Sequence, residues 1–140
     1  MVFRAYQWKR NAEIPLRTSV RNRIMSSVPE LTVYSGSAPR KVKFPYLILG
    51  EPGHEEFCTK TTEGDSIRLT FHIYTKEAGY DQVNDIWGKI LTAFGIPMQV
   101  DDNWQIVSIG LESGSNAFRQ GWDVSHGVMY LRFKLWDTTN

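Results

Sequence analysis

The stretch from Ser66 to Phe94 most restricts what this chain can become. Along it Ile67, Leu69, Phe71 and Ile73 alternate with Arg68, Thr70, His72 and Tyr74, the period-2 pattern of a strand with one buried face. After Gly79 the period changes. Val83, Ile86, Trp87, Ile90, Leu91 and Phe94 recur at spacings of three and four or join neighbours that do, which sets one apolar stripe along a helix. Gly95 and Pro97 supply its stop. Each large apolar side chain buried by such a pair contributes about 1.5–3 kcal/mol before entropy. The strand and helix therefore read as the nucleus of the fold, with the helix lying on a sheet.

A chain of 140 residues, 41% hydrophobic and 22% charged, holds enough material for one domain with a full core. The lone Cys58 excludes an internal disulfide and a cysteine-based zinc site. No apolar run is long enough for a bilayer and no secretory signal is read, so an intracellular chain without membrane contact is expected. The formal net charge of +1 hides an asymmetry: residues 1–50 carry nine Lys or Arg against Glu13 and Glu30, or +7, which leaves −6 for residues 51–140. Such polarity suits docking with copies or partners, or one surface turned to nucleic acid; clustering on solvated faces gives the same pattern. Aromatic content of 13%, with five Trp, matches the enrichment found at interfaces.

Taken in order, residues 1–13 place Phe3, Tyr6 and Trp8 among Arg4, Lys9 and Arg10 without a helical stripe. They read as an N-terminal arm, and residues 14–140 as a single domain. Pro15 suits the first turn of a helix whose face is Leu16, Val20, Ile24 and Val28, stopped at Pro29. An extended piece over Leu31–Tyr34 and a loop from Ser35 to Pro39 lead to the basic residues Arg40, Lys41 and Lys43. Phe44 to Gly50 predicts a short strand, Glu51 to Gly53 a turn, His54 to Thr62 a mostly exposed strand, and Glu63 to Asp65 a hairpin turn into the central strand. Beyond the central helix, Met98 to Asn103 predicts a loop and Trp104 to Glu112 a strand in which Val107, Ile109 and Leu111 alternate. Ser113 to Ser125 predicts a polar connection, and Val128 to Trp136 a last strand with Met129, Leu131, Phe133 and Leu135 toward the core. The expected class is α+β: an N-terminal helix and one central helix packed on one face of a mostly antiparallel sheet of about four to five strands.

Catalytic chemistry finds little purchase. Cys58 and the serines lie in no nucleophile motif, and neither a P-loop nor a G-x-G-x-x-G phosphate cradle is present. Asp123 and His126, three apart, together with His72 are the one group that invites a metal or a shared proton. The structural reading is favoured for them: a surface pair at a strand entry, with His126 bonded to loop backbone. His72 projects from the non-core face of the central strand and is expected to meet a neighbouring subunit or solvent. No enzyme and no cofactor are expected.

The run from Lys43 to Phe94 carries a further signal. F-P-Y-L-I-L-G-E is followed by T-K-T-T-E-G-D-S-I-R-L-T-F-H-I-Y-T and then by the helix Y-D-Q-V-N-D-I-W-G-K-I-L-T-A-F. This order, with Trp104 to Glu112 and with Arg119, Asp123 and His126 before the last strand, resembles the tail completion, or tail-to-head joining, family of long-tailed bacteriophages. The resemblance covers nearly all the chain after about Ile14; the aromatic, basic residues 1–13 depart from it. It implies a small α+β structural protein of the virion, related in fold to the tail terminator, that forms a hexameric ring at the head-proximal end of the tail tube. Its implied partners are copies of itself, the tail tube protein and the head connector or stopper, with non-specific contact to DNA in the channel. Its implied place is the virion neck, and the host cytoplasm during assembly.

On that view Arg17, Arg21, Arg40, Lys41 and Lys43 are candidates for the DNA conduit or an interface, because phosphates favour basic or non-repulsive neighbours. Phe3, Tyr6, Trp8, His72 and Trp122 are the inter-subunit candidates, and Trp104, Tyr130 and Trp136 are also left over once the stripes go to the core. The alternative is a small nucleic-acid-binding module using the basic N-terminal third, against which stand the near-neutral charge and the absence of a helix-turn-helix, zinc-finger or RNP pattern.

Overall fold

The structure is a computed structural model and describes residues 12–56, 64–76, 79–119 and 123–138. The order is α1 (Glu13–Ser27), β1 (Thr32–Ser35), β2 (Tyr46–Glu56), β3 (Gly64–Thr75), α2 (Asp81–Ala93), β4 (Gln99–Asp101), β5 (Trp104–Leu111), β6 (Asn116–Arg119) and β7 (Ser125–Asp137). The α+β class holds. The sheet is larger than expected, with seven strands in the order β1-β2-β3-β7-β5-β4 and β6 also on β7. It is mixed, since β1 runs parallel to β2 while every other pair is antiparallel.

Turn-forming residues hide sheet in three places, one fusing two expected strands into β2 and two adding the short strands β4 and β6. Glu51 to Gly53 does not turn the chain. A bulge between Leu49 and Pro52 lets β2 pass straight through and pair with β3 from Tyr46↔Tyr74 to Glu56↔Asp65, one unpaired residue being enough to absorb Gly50 and Glu51. The expected loop over Met98–Asn103 contains β4, a three-residue edge strand folded back on β5. The polar connection contains β6, and Gly114 at φ +94° makes the bend before it, a left-handed conformation that glycine adopts without steric cost.

The inner face of the sheet carries the core. Ile67, Leu69, Phe71 and Ile73 of β3 stand opposite Phe133, Leu131, Met129 and Gly127 of β7, and all seven large side chains are buried. Leu16, Val20, Ile24 and Val28 are fully buried as the spacing of four predicts. On α2 the stripe is narrower than its sequence pattern: Val83, Ile86, Ile90 and Ala93 are buried, Trp87 is half-buried against the core, and Leu91 is exposed. β5 also departs from expectation. A bulge between Ile106 and Ser108 turns Ile106 inward with Ile109, while Val107 and Leu111 stay largely in solvent. Trp104, left outside the core by the sequence pattern, is 2% exposed and part of it.

Two polar clamps fix the helices. Arg17 donates to the carbonyls of Leu49 (3.2 Å) and Gly50 and to Ser35 Oγ (3.0 Å), and pairs with Glu13 one turn earlier (3.1 Å). Arg23 donates to the carbonyls of Ala93 (2.7 Å), Ile96 (2.9 Å) and Pro97 (3.1 Å). It thereby caps the C-terminus of α2, whose last turn holds no basic residue of its own, with a cation where the helix dipole favours one. Ser19 Oγ meets the Val100 carbonyl at 2.9 Å, so α1 touches both β1 and β4 and the curled sheet brings its two edge strands to either side of it. Among the described residues no helix is long and apolar enough to cross a membrane.

Candidate assembly surface

Both helices lie on the inner face, so among the described residues the outer face of the sheet is built by strands alone. Its centre is a row of rings set by register. Tyr46 of β2 stands opposite Tyr74 of β3, Tyr74 opposite His126 of β7, and His126 opposite Phe118 of β6. Tyr46 and Tyr74 stack at 4.8 Å and 14°, Tyr74 and His126 at 4.2 Å and 18°, and Phe118 tilts onto His126 at 4.6 Å. Phe44 and Tyr34 extend the row with edge contacts to Tyr46 at 5.1 and 6.1 Å, and Lys76 Nζ lies 5.2 Å from the Phe44 ring centre. Offset stacks and edge contacts are the favourable ring geometries, so the row stiffens four strands from outside the core.

The row changes the electrostatics of its members. Burial, and then a neighbouring phenol, push the hydroxyls of Tyr46 and Tyr74 above their usual ionisation range. His72 Nδ1 sits 3.0 Å from His126 Nε2, a contact in which one ring donates and the other accepts. Burial, followed by repulsion from His72, lowers the His126 pKa to about 4, because both effects penalise the imidazolium. Asp123, expected as the surface partner of His126, instead meets Lys76 at 3.4 Å, while His126 is buried within β7. Among the described residues no group of three or more His, Cys, Asp or Glu is placed to hold a metal ion.

The basic candidates fall into two kinds. The Arg17 guanidinium is engaged by the helix-to-sheet bonds described above. Arg21, Arg40, Lys41 and Lys43 are exposed, the last three in the connection that returns from the end of β1 to the start of β2, as a parallel pair requires. His72 lies half-buried on the outer face, packed over Gly50, where an added Cβ would come within 3.0 Å of its ring. Phe3, Tyr6, Trp8 and Trp122 lie outside the described residues. Tyr130 is half-buried beneath Arg68, whose guanidinium carbon is 5.2 Å from its ring centre, and Trp136 is half-buried at the end of β7. Sequence reading missed the row because its members are far apart in the chain; only the β2 bulge and the β3–β7 register bring them level. The available signal was the aromatic residue at each non-core position near a strand end.

The fold has known counterparts. A chain in the virion of a native gene transfer agent particle is 16% identical and superposes with a TM-score of 0.75, over 91% of this chain and 99% of that one. The gp17 protein of bacteriophage SPP1 is 20% identical, with a TM-score of 0.56 over 91% of this chain and 92% of that one. At such identities these likenesses show the fold. No curated protein sequence matches the chain significantly. The sequence model of tail completion protein gp17, however, matches residues 17–135, nearly the whole folded region from α1 to the end of β7, and the chain belongs to that family.

Proposed function

We propose that this phage tail protein forms a ring that closes the head-proximal end of the tail tube and joins the tail to the head connector, as a non-enzymatic part of the virion neck. The observation that carries this reading is the match to the tail completion family over residues 17–135. In this reading copies of the chain are its first partners, six to a ring, with the tail tube protein on one side and a connector or stopper on the other; assembly takes place in the host cytoplasm. The outer sheet face, stiffened by its ring row and including His72, offers a rigid surface for such contacts, and rigid surfaces lose little entropy on docking. Residues 1–13, with Phe3, Tyr6 and Trp8, and Trp122 also serve between subunits. Arg21, Arg40, Lys41 and Lys43, with Arg17 behind them, face DNA in the channel or an adjoining ring, where exposed cations relieve phosphate repulsion.

The test is electron microscopy of particles made without this protein. Filled heads beside separate, unjoined tails are expected, and normal joined virions overturn the reading. Glu in place of Arg40, Lys41 and Lys43 separates the conduit role from the fold: the exposed changes leave thermal stability within about 0.5 kcal/mol of the parent, while joined particles decline.

A further inference from the structure

The sheet has an edge that nothing described covers. β4 pairs with β5 only at Gln99↔Gln105 and Asp101↔Trp104. Beyond Gln105, β5 is bonded to β7 on one side, and on its other side no strand among the described residues accompanies it. Residues 106–111 read I-V-S-I-G-L, without the charge or proline by which natural edge strands discourage pairing, though the bulge between Ile106 and Ser108 interrupts the row. The chain at Gly95–Met98 diverges from this edge and leaves an open groove of about 550 Å3, walled by Phe94, Ile96, Pro97 and Met98 opposite Ile106, Val107 and Ile109. Ile96 is 63% exposed, Val107 43% and Leu111 54%, so three large aliphatic side chains rim a row of available backbone donors and acceptors.

We propose that this edge receives residues 2–8 of another copy of the chain as an added strand. The inference rests on the reading that copies associate. Val2, Phe3, Tyr6 and Trp8 are residues that strands favour, and in an extended segment Tyr6 and Trp8 fall on one side, positioned to fill pockets along the groove while main-chain bonds supply register. The arm carries Arg4, Lys9 and Arg10 and no acidic residue before Glu13, and Asp101 and exposed Asp102 stand at the start of the uncharged edge, so the charges are complementary at that end; Glu112 at the other end is paired with Arg132 (2.5 Å).

In the proposed ring neighbouring copies lie side by side, so another copy's arm is the occupant to which the inference commits.

The experiment places a photo-crosslinking benzoylphenylalanine at Tyr6 of the full chain, mixes isotopically heavy and light protein, irradiates, and maps crosslinked peptides by mass spectrometry. Heavy–light crosslinks to residues 95–111 are expected, and they should be lost in a V107K/L111K variant whose circular dichroism melting curve matches the parent. Crosslinks only within one isotope class show the arm on its own subunit and overturn the proposal. Crosslinks elsewhere, no crosslinks, or crosslinks that persist in the double variant overturn it as well. The tail-joining reading is decided by particles made without the protein, so unjoined heads and tails alongside a failed crosslink discard the arm and leave that reading standing.

Discussion

His72 and His126 share one hydrogen bond of 3.0 Å on the outer sheet face, with the Tyr74 ring also stacked on His126. A neutral His126 fits this setting and a charged one does not, which fixes the direction of a pH effect. Its folded pKa of about 4 lies below the ordinary 6.5, so between those values the unfolded chain binds the proton and the folded chain does not. The stabilisation is complete above about pH 6.5 and is lost as pH falls toward 4, at up to about 1.4 kcal/mol per unit and on the order of 1–3 kcal/mol in total. Denaturant titrations at pH 7 and pH 5 should show the fall, and H126F, which keeps a ring in the row, should flatten it. An equal slope in both proteins would show that other groups set the acid response.

At Gly127 the sheet leaves room for Val83 of α2. A Cβ placed there meets Val83 Cγ1 at 2.6 Å, and Val83 is fully buried, with a β-branched side chain that turns only reluctantly. G127A should therefore destabilise the domain by about 1–3 kcal/mol through overpacking. Adding V83A should recover part of that loss, a coupling that a double-mutant cycle measures directly. Additive losses would mean that the helix shifts as a body.

The strand–helix nucleus was legible because each of its periods is long and undisturbed: β3 alternates apolar and polar residues over the eight from Ile67 to Tyr74, and α1 spaces its buried residues by four. Legibility failed wherever one residue changed the phase. The β2 bulge at Gly50–Glu51 disguised a strand as a turn, and the β5 bulge at Val107 exchanged Ile106 for Val107 at the core. The outer row and the Arg23 cap were illegible for a different reason. Both join residues distant in the chain, Tyr46 and Tyr74 by 28 positions, Tyr74 and His126 by 52 and Arg23 and Ala93 by 70, with Phe118 and His126 the nearer pair, and no local pattern encodes a contact that depends on how the whole sheet is stacked. The family likeness was readable nonetheless, because it lay in the order of elements rather than in any contact.

The α2 stripe gives a sharper test of which face is buried. Ile90 is fully buried and Leu91, its neighbour on the sequence stripe, is 37% exposed. I90A should cost about 2–5 kcal/mol and L91A under about 1 kcal/mol, with W87A between them because that ring is half in solvent. Urea unfolding of the three variants checks the order. A larger loss at Leu91 than at Ile90 would mean that the helix is rotated about its axis relative to the described packing.

Arg17 and Arg21 occupy successive turns of α1 and carry the same charge, yet they should answer differently to removal. Arg17 holds the Leu49 and Gly50 carbonyls at the start of the β2 bulge and Ser35 at the end of β1, and R17A strips charged donors from partly buried acceptors. A loss of about 1.5–3 kcal/mol is expected, and R17K should restore only part of it because an ammonium cannot reproduce the guanidinium fork. Arg21 is exposed, so R21A should change stability by no more than about 0.5 kcal/mol. If Arg21 serves the channel or an interface, R21A should still lower the yield of joined particles. Full joining by R21A, with stability intact, would remove Arg21 from the assembly surface and leave the exposed cations at 40, 41 and 43 as the remaining candidates.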